Sequence, residues 1–293
     1  MYTSNLDLQT TVRDSFTLRG VGIHSGEAVA VTVQPACEGG IRFHRADQPA
    51  VSIPAHLSSL QATPRCTVLA AGEIRVATTE HLLSALWALG VDHARVLVEG
   101  DELPALDGSA LEYVQALQRV GLRDLDQPRE WLDLAQPVWV RQGDASILAL
   151  PAPAFKVTYV LEYDHPMVGT QVVSADVDPG TFAEQVAPAR TFGFLEWAEE
   201  LRKRGLARGA SLENTVVIAP DRILSPLRFA DEFARHKILD MIGDLALLGR
   251  RLRAHVIAVR GGHALNASLV GRILELCQLD GATRSGSSHE SAG

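Results

Sequence analysis

Residues 78–98 read TTEHLLSALWALGVDHARVLV. After Glu80 and His81 the positions up to Leu89 are mostly apolar and predict a helix over Thr79–Leu89, which Gly90 stops by supplying a left-handed residue. A short valine-rich run at Val96–Val98 follows as a strand. Working outward, similar apolar runs bounded by turn residues predict strands at Val29–Val33, Val138–Val140, Val157–Leu161, Val216–Ile218 and His255–Val259. Helical patterns fall at Ala110–Val120, Phe192–Arg204, Asp231–Leu248 and Ala267–Leu276. Strands come in groups with helices after them, not in strict alternation, so the fold class is α+β.

At 293 residues the chain is long for one core and comfortable for two units of about 120–150 residues. The polar stretch Arg123–Glu130 (RDLDQPRE) precedes a fresh apolar start at Trp131 and marks a boundary, giving domains 1–127 and 128–280. Residues 281–293 (GATRSGSSHESAG) are small and polar and predict a disordered tail. No sequence repeat of fixed period is visible.

Hydrophobic residues make up 46% of the chain and charged ones 21%, the range of a soluble globular protein. A net charge of −8 without a basic run argues against nucleic acid as a partner. The start, MYTSNLDLQTTVRDSF, lacks the basic and apolar regions of a secretory signal, and no apolar stretch reaches membrane-spanning length. Three widely spaced cysteines, Cys37, Cys66 and Cys277, suit a reducing, cytoplasmic compartment and lack the paired spacing of a structural zinc site.

Three segments hold side chains suited to chemistry. In DEFARHKILDMIGDLALL (Asp231–Leu248), His236 and Asp240 are four apart and share a helix face, with Asp244 one turn further on. An imidazole and a carboxylate so placed could form half of a zinc site, although a helix-surface ion pair is the simpler reading of that spacing. Glu80 and His81 open the helix at Thr79; they could supply a base and a third ligand, or only an acidic first turn beside an exposed histidine. In RGGHALN (Arg260–Asn266), His263 follows two glycines that let backbone approach a ligand, or that simply make a tight turn.

Taken together and in order, TTEHLLSALWALGVDHARVLVEGDELPALDGSA, ARTFGF, DEFARHKILDMIGD and GGHALN resemble the motifs of the UDP-3-O-acyl-N-acetylglucosamine deacetylases. GVGIHSG (Gly20–Gly26) and DHPMVG (Asp164–Gly169) extend the resemblance from about residue 10 to about residue 275. It implies two similar α+β domains packed face to face with the site between them. It also implies that His81, His236 and Asp240 bind one catalytic zinc, with ferrous iron as the alternative ion. Glu80 would then be the general base, Thr191 an oxyanion donor, and His263 held by Asp244 a second acid–base pair. Which of Glu80 and His263 protonates the departing amine stays open.

By the same resemblance, Lys237, Phe192, Tyr159 and Arg260 contact an acylated UDP-sugar. Ile23 and Leu212, with Ala198, Ala207 and Val217, line a passage for its acyl chain, although plain core packing would explain such apolar residues as well. The implied reaction is deacetylation of the nucleotide sugar, the committed step of lipid A synthesis, by a monomer with at most transient contact with a membrane surface. Deacetylation of a different N-acetylated sugar nucleotide and a non-catalytic relative are the competing readings. The chain departs from the family pattern at Arg260 and Gly261, where lysine and serine are usual, at Ala210 in GASLEN, and in a shorter turn at RILSPLR. These bear on acyl-chain length and affinity.

Overall fold

The computed structural model describes residues 7–61, 63 and 65–286. The first half runs β1 (Leu8–Val12), β2 (Phe16–Val21), β3 (Ala28–Pro35), β4 (Ile41–Arg45), β5 (Gln48–Pro54) and β6 (Leu60–Gln61). It continues through β7 (Val68–Ala71), β8 (Ile74–Val76), α1 (Glu80–Leu89), β9 (Ala94–Glu99), α2 (Leu111–Val120) and β10 (Leu122–Pro128). The second half runs β11 (Trp131–Asp133), β12 (Val138–Gln142), β13 (Ala145–Pro151), β14 (Lys156–Glu162), β15 (Thr170–Asp176) and the short α3 (Pro179–Thr181). Then come β16 (Phe192–Phe194), α4 (Leu195–Lys203), β17 (Val216–Ile218), α5 (Glu232–Leu245), β18 (Arg251–Val259) and α6 (His263–Gly286).

The α+β class holds. One sheet has the order β2-β3-β9-β4-β5 and the other β12-β13-β18-β14-β15, with β11 added beside β18. In each, the central strand (β9 or β18) is antiparallel to one neighbour and parallel to the other. In each, too, that strand lies between two helices along the chain, α1 and α2 or α5 and α6. The same connectivity thus occurs twice without a sequence repeat, because apolar patterning and volume specify such a layer and many residue combinations satisfy both.

Alternate residues of the central strands point inward: Val96 and Val98 in β9, and Leu252, Ala254, Val256 and Ala258 in β18. Helices α1 and α5 pack against one another. All ten residues of α1 are buried, and so is most of α5, as expected for helices covered on every side. At Gly243 in α5 an added Cβ would collide with the backbone of Glu80, so the two helices meet backbone to backbone.

Two expectations need correction. Phe192–Phe194 is not helical: it pairs in parallel with β17 (Phe192↔Val216), and the helix begins at Leu195. The polar stretch at 123–130, read as a boundary, contains most of β10, which pairs antiparallel with β1. Helix α6 starts at His263, four residues before the expected Ala267, and runs to Gly286, inside the segment expected to be a disordered tail. The rest of that segment, residues 287–293, lies outside the described residues, as do residues 1–6 at the start. Among the described residues no helix is long and apolar enough to cross a membrane.

Candidate active site

Helix α1 begins at Glu80, immediately after Thr79, and ends where Gly90 (φ 99°) turns left-handed and donates its N–H to the carbonyls of Leu86 and Trp87. Its first turn therefore delivers Glu80 and His81 to the point where α5 passes. From α5, His236 and Asp240 project one turn apart. The ligand atoms of His81, His236 and Asp240 all lie within 4.8 Å of one another, and all three residues are buried. Asp240 Oδ1 is 3.6 Å from His81 Nε2 and 3.3 Å from His236 Nε2. The two imidazoles meet edge to face, 5.0 Å between centroids.

This donor set could hold a metal ion. His236 Nδ1 lies 3.1 Å from the Ala189 carbonyl, to which it can only donate, so its Nε2 keeps a lone pair facing the other ligands. Burial, the largest influence, pulls His236 down to about 4, which keeps it neutral as a ligand must be. Burial also acts to raise Asp240, but His236, Lys237 and His81 outweigh it and hold the carboxyl well below the usual carboxylate range. Two nitrogens and one carboxylate leave a position for water or substrate, the pattern of a catalytic site and not of a closed structural one.

Glu80 is 3% exposed, and its Oε2 accepts the Thr67 backbone N–H at 2.9 Å. Burial raises its pKa, the direction that makes a carboxylate a better base near neutrality. Asp244 binds His263 Nδ1 (2.8 Å) and Asn266 Nδ2 (2.7 Å) through Oδ2, and the Thr67 hydroxyl through Oδ1. Burial would lower His263, but the Asp244 charge and hydrogen bond, with Asp240 and Glu80 nearby, carry it up to about 10.

The remaining sequence candidates are placed unevenly. The Thr191 hydroxyl makes no hydrogen bond among the described residues and follows Ala189, whose carbonyl supports His236. Lys237 Nζ rests on Asp240 Oδ2 at 2.8 Å and lies 5.7 Å over the Phe192 ring. Phe192 itself lies 6.4 Å from the His236 ring and packs on Phe233 and Tyr163. Tyr159 does not present a face to a ligand: it is 1% exposed, and its hydroxyl donates to the Gly261 carbonyl at 2.6 Å, propping the turn before His263. Arg260 is exposed with φ 53°, and its guanidinium makes no hydrogen bond among the described residues.

Ile23 and His24 accept backbone N–H bonds from Gly209 and Arg208, which docks the GIHSG loop on the segment expected to form the passage. Leu212 is exposed there, as are Leu195 and Trp197.

Sequence reasoning missed Thr67, Asn266 and Glu102. Glu102 is buried and accepts the N–H groups of His24 and Ser25, holding that loop. Asn266 and Glu102 stood inside recognised motifs, whereas Thr67 carried no local signal.

A buried pair of imidazoles and a carboxylate beside a desolvated glutamate defines a metal-dependent hydrolase site. The chain matches, over residues 9–275, the family described as UDP-3-O-acyl N-acetylglycosamine deacetylase. Relatives named UDP-3-O-acyl-N-acetylglucosamine deacetylase include one from Geobacter sp. (strain M21), 42% identical across 91% of this chain and 89% of its own. Another from Trichormus variabilis is 43% identical across 92% of this chain and 99% of its own. One from Pseudomonas entomophila is 42% identical across 91% and 90%. The chain belongs to this deacetylase family.

Proposed function

We propose that the chain hydrolyses the acetamide of UDP-3-O-acyl-N-acetylglucosamine, releasing acetate and the free amine, in lipid A synthesis. The observation that carries this is the convergence of His81, His236 and Asp240 beside the buried Glu80, in a chain of that family. These three residues would hold a zinc ion, whose chemistry is Lewis acidity toward the amide carbonyl and toward water.

The protein's own groups divide the remaining work. Glu80 takes the proton of the attacking water; its Oε2 is fixed by Thr67, and its Oε1 accepts no hydrogen bond among the described residues. Thr191 donates its hydroxyl to the oxygen that gains charge as the carbonyl is attacked. His263 gives Nδ1–H to Asp244 and carries a second proton at neutral pH, so its Nε2 is the acid that protonates the departing amine. Lys237 and Phe192 contact the sugar, and the exposed Arg260 meets a phosphate of the nucleotide. Ile23 and Leu212 flank the acyl chain. A nucleotide-sugar substrate fits a cytoplasmic enzyme that touches the membrane surface only in passing.

The test is acetate release from zinc-loaded protein beside Glu80→Gln. The expected loss is about 10²–10⁴-fold with zinc still bound. Equal turnover by the variant would remove Glu80 from the reaction. Turnover of the non-acylated nucleotide sugar at the same kcat/KM would remove the acyl chain from the substrate definition.

A further inference from the structure

Thr67 is 1% exposed, lies just before β7, and belongs to none of the ligand or acid–base groups above. It is nevertheless the point where those groups join. Its backbone N–H donates to Glu80 Oε2 (2.9 Å), and its hydroxyl donates to Asp244 Oδ1 and lies 3.4 Å from His263 Nδ1. Its carbonyl accepts both the N–H and the hydroxyl of Thr79, each at 3.2 Å, which ties it to the residue preceding Glu80. One residue from the first half thus holds a carboxylate of α1 and a carboxylate of α5.

We infer that Thr67 is a positioning residue whose hydroxyl sets the Asp244–His263 pair in place relative to the Glu80 carboxylate. The chemistry of its donors suits that role. Glu80 and Asp244 are buried carboxylates that repel one another, and a neutral N–H and O–H can fix both without adding any charge to the site. With Asn266 on the other oxygen, Asp244 has all its contacts directed, so the imidazole it orients has one position. The ligands His81, His236 and Asp240 make no hydrogen bond with Thr67, so its removal spares the metal.

This inference rests on the roles proposed for Glu80 and His263, and its test separates the two. Thr67→Val keeps the shape and removes the hydroxyl; Thr67→Ser restores it; Thr67→Ala serves as the second hydroxyl-free variant should valine not fold. Measured on the zinc-loaded full chain, the hydroxyl-free variant should lower kcat by about 10–100-fold, with KM and bound zinc unchanged. Serine should recover activity to within a few-fold. In an Asp244→Ala background the same change should cost nothing further, since the hydroxyl acts through that carboxylate. Wild-type kcat without the hydroxyl, loss of zinc, failure of serine to rescue, or a full additional loss in the Asp244→Ala background would each overturn it. Glu80→Gln in the same series decides the underlying reading: if it stays active, the site assignment fails first. If it is inactive and the hydroxyl-free variant is not impaired, only the inference about Thr67 fails.

Discussion

Replacing Gly243 with alanine perturbs the site without touching any polar group in it. An added Cβ would lie 2.7 Å from the carbonyl carbon of Glu80 and 2.8 Å from its Cα. Carbon pairs settle at about 3.5–4.0 Å, so α1 and α5 must separate by roughly 0.7–1.3 Å. Both helices are buried on nearly all sides, and overpacking of that kind costs about 1–3 kcal/mol. The displaced backbone is that of Glu80, proposed as the general base, and of its neighbour His81, proposed as a ligand. A shift near 1 Å should therefore lower kcat on the order of 10²-fold and weaken metal binding as His81 draws away from His236 and Asp240. The assay is thermal melting with and without zinc, kcat for acetate release, and a zinc titration. Gly271→Ala in α6 is the matched control: its Cβ would meet only the Leu57 side chain, at 3.5 Å, and should lower none of the three readings. A Gly243→Ala protein with wild-type Tm, kcat and zinc affinity would refute the close approach of the helices as the device that assembles the site.

Other perturbations follow from the same geometry. Asp92 accepts from Arg129 (2.9 and 3.1 Å) and Arg251 (3.0 Å), so Asp92→Ala strips the carboxylate from two buried guanidiniums. Chemical denaturation should show a loss of about 3–5 kcal/mol. In metal-free protein, burial pulls His236 from 6.5, the value of a free imidazole, down to about 4. Its contribution is therefore whole above pH 6.5 and is lost as pH falls from there toward 4. His263 works oppositely: with about 10 folded against 6.5, its contribution is whole below pH 6.5 and is lost as pH rises toward 10. Melting of chelated protein across pH should show both limbs, and His263→Asn should flatten the alkaline one. Tyr159→Phe should cost about 1 kcal/mol for the lost bond to Gly261 and leave KM unchanged. A raised KM with unaltered stability would return Tyr159 to the substrate surface.

Much of this was legible along the chain. The limits of α1 follow from a run of apolar residues closed by Gly90, and α5 from the HxxxD row and its apolar flanks. Elements whose pairing is remote were not legible. Phe192–Phe194 is too short to declare a period, and becomes a strand only because Val216–Ile218 lies beside it. Strand β10 is a polar partner of β1 in a two-stranded ribbon and lacks the alternation that a packed face imposes. The resemblance placed Tyr159 near the nucleotide, while its strand puts it on the inward side of β14 with Val157 and Leu161.

By itself the sequence determined helices α1 and α5, the chemical types at the site and the spacing that puts His236, Asp240 and Asp244 on one row, because these depend on local periodicity and side-chain identity. Only the tertiary structure decided that Glu80 and His81 meet that row, since their approach is set by a glycine in a different helix and by sheets whose strands pair across the chain. The pairing of His263 with Asp244 was implied by the motifs, whereas the tertiary structure alone decided that Thr67 binds both Glu80 and Asp244. Hydrogen bonds between residues 13 and 177 positions apart have no periodicity to announce them; they exist once the surrounding layers have packed.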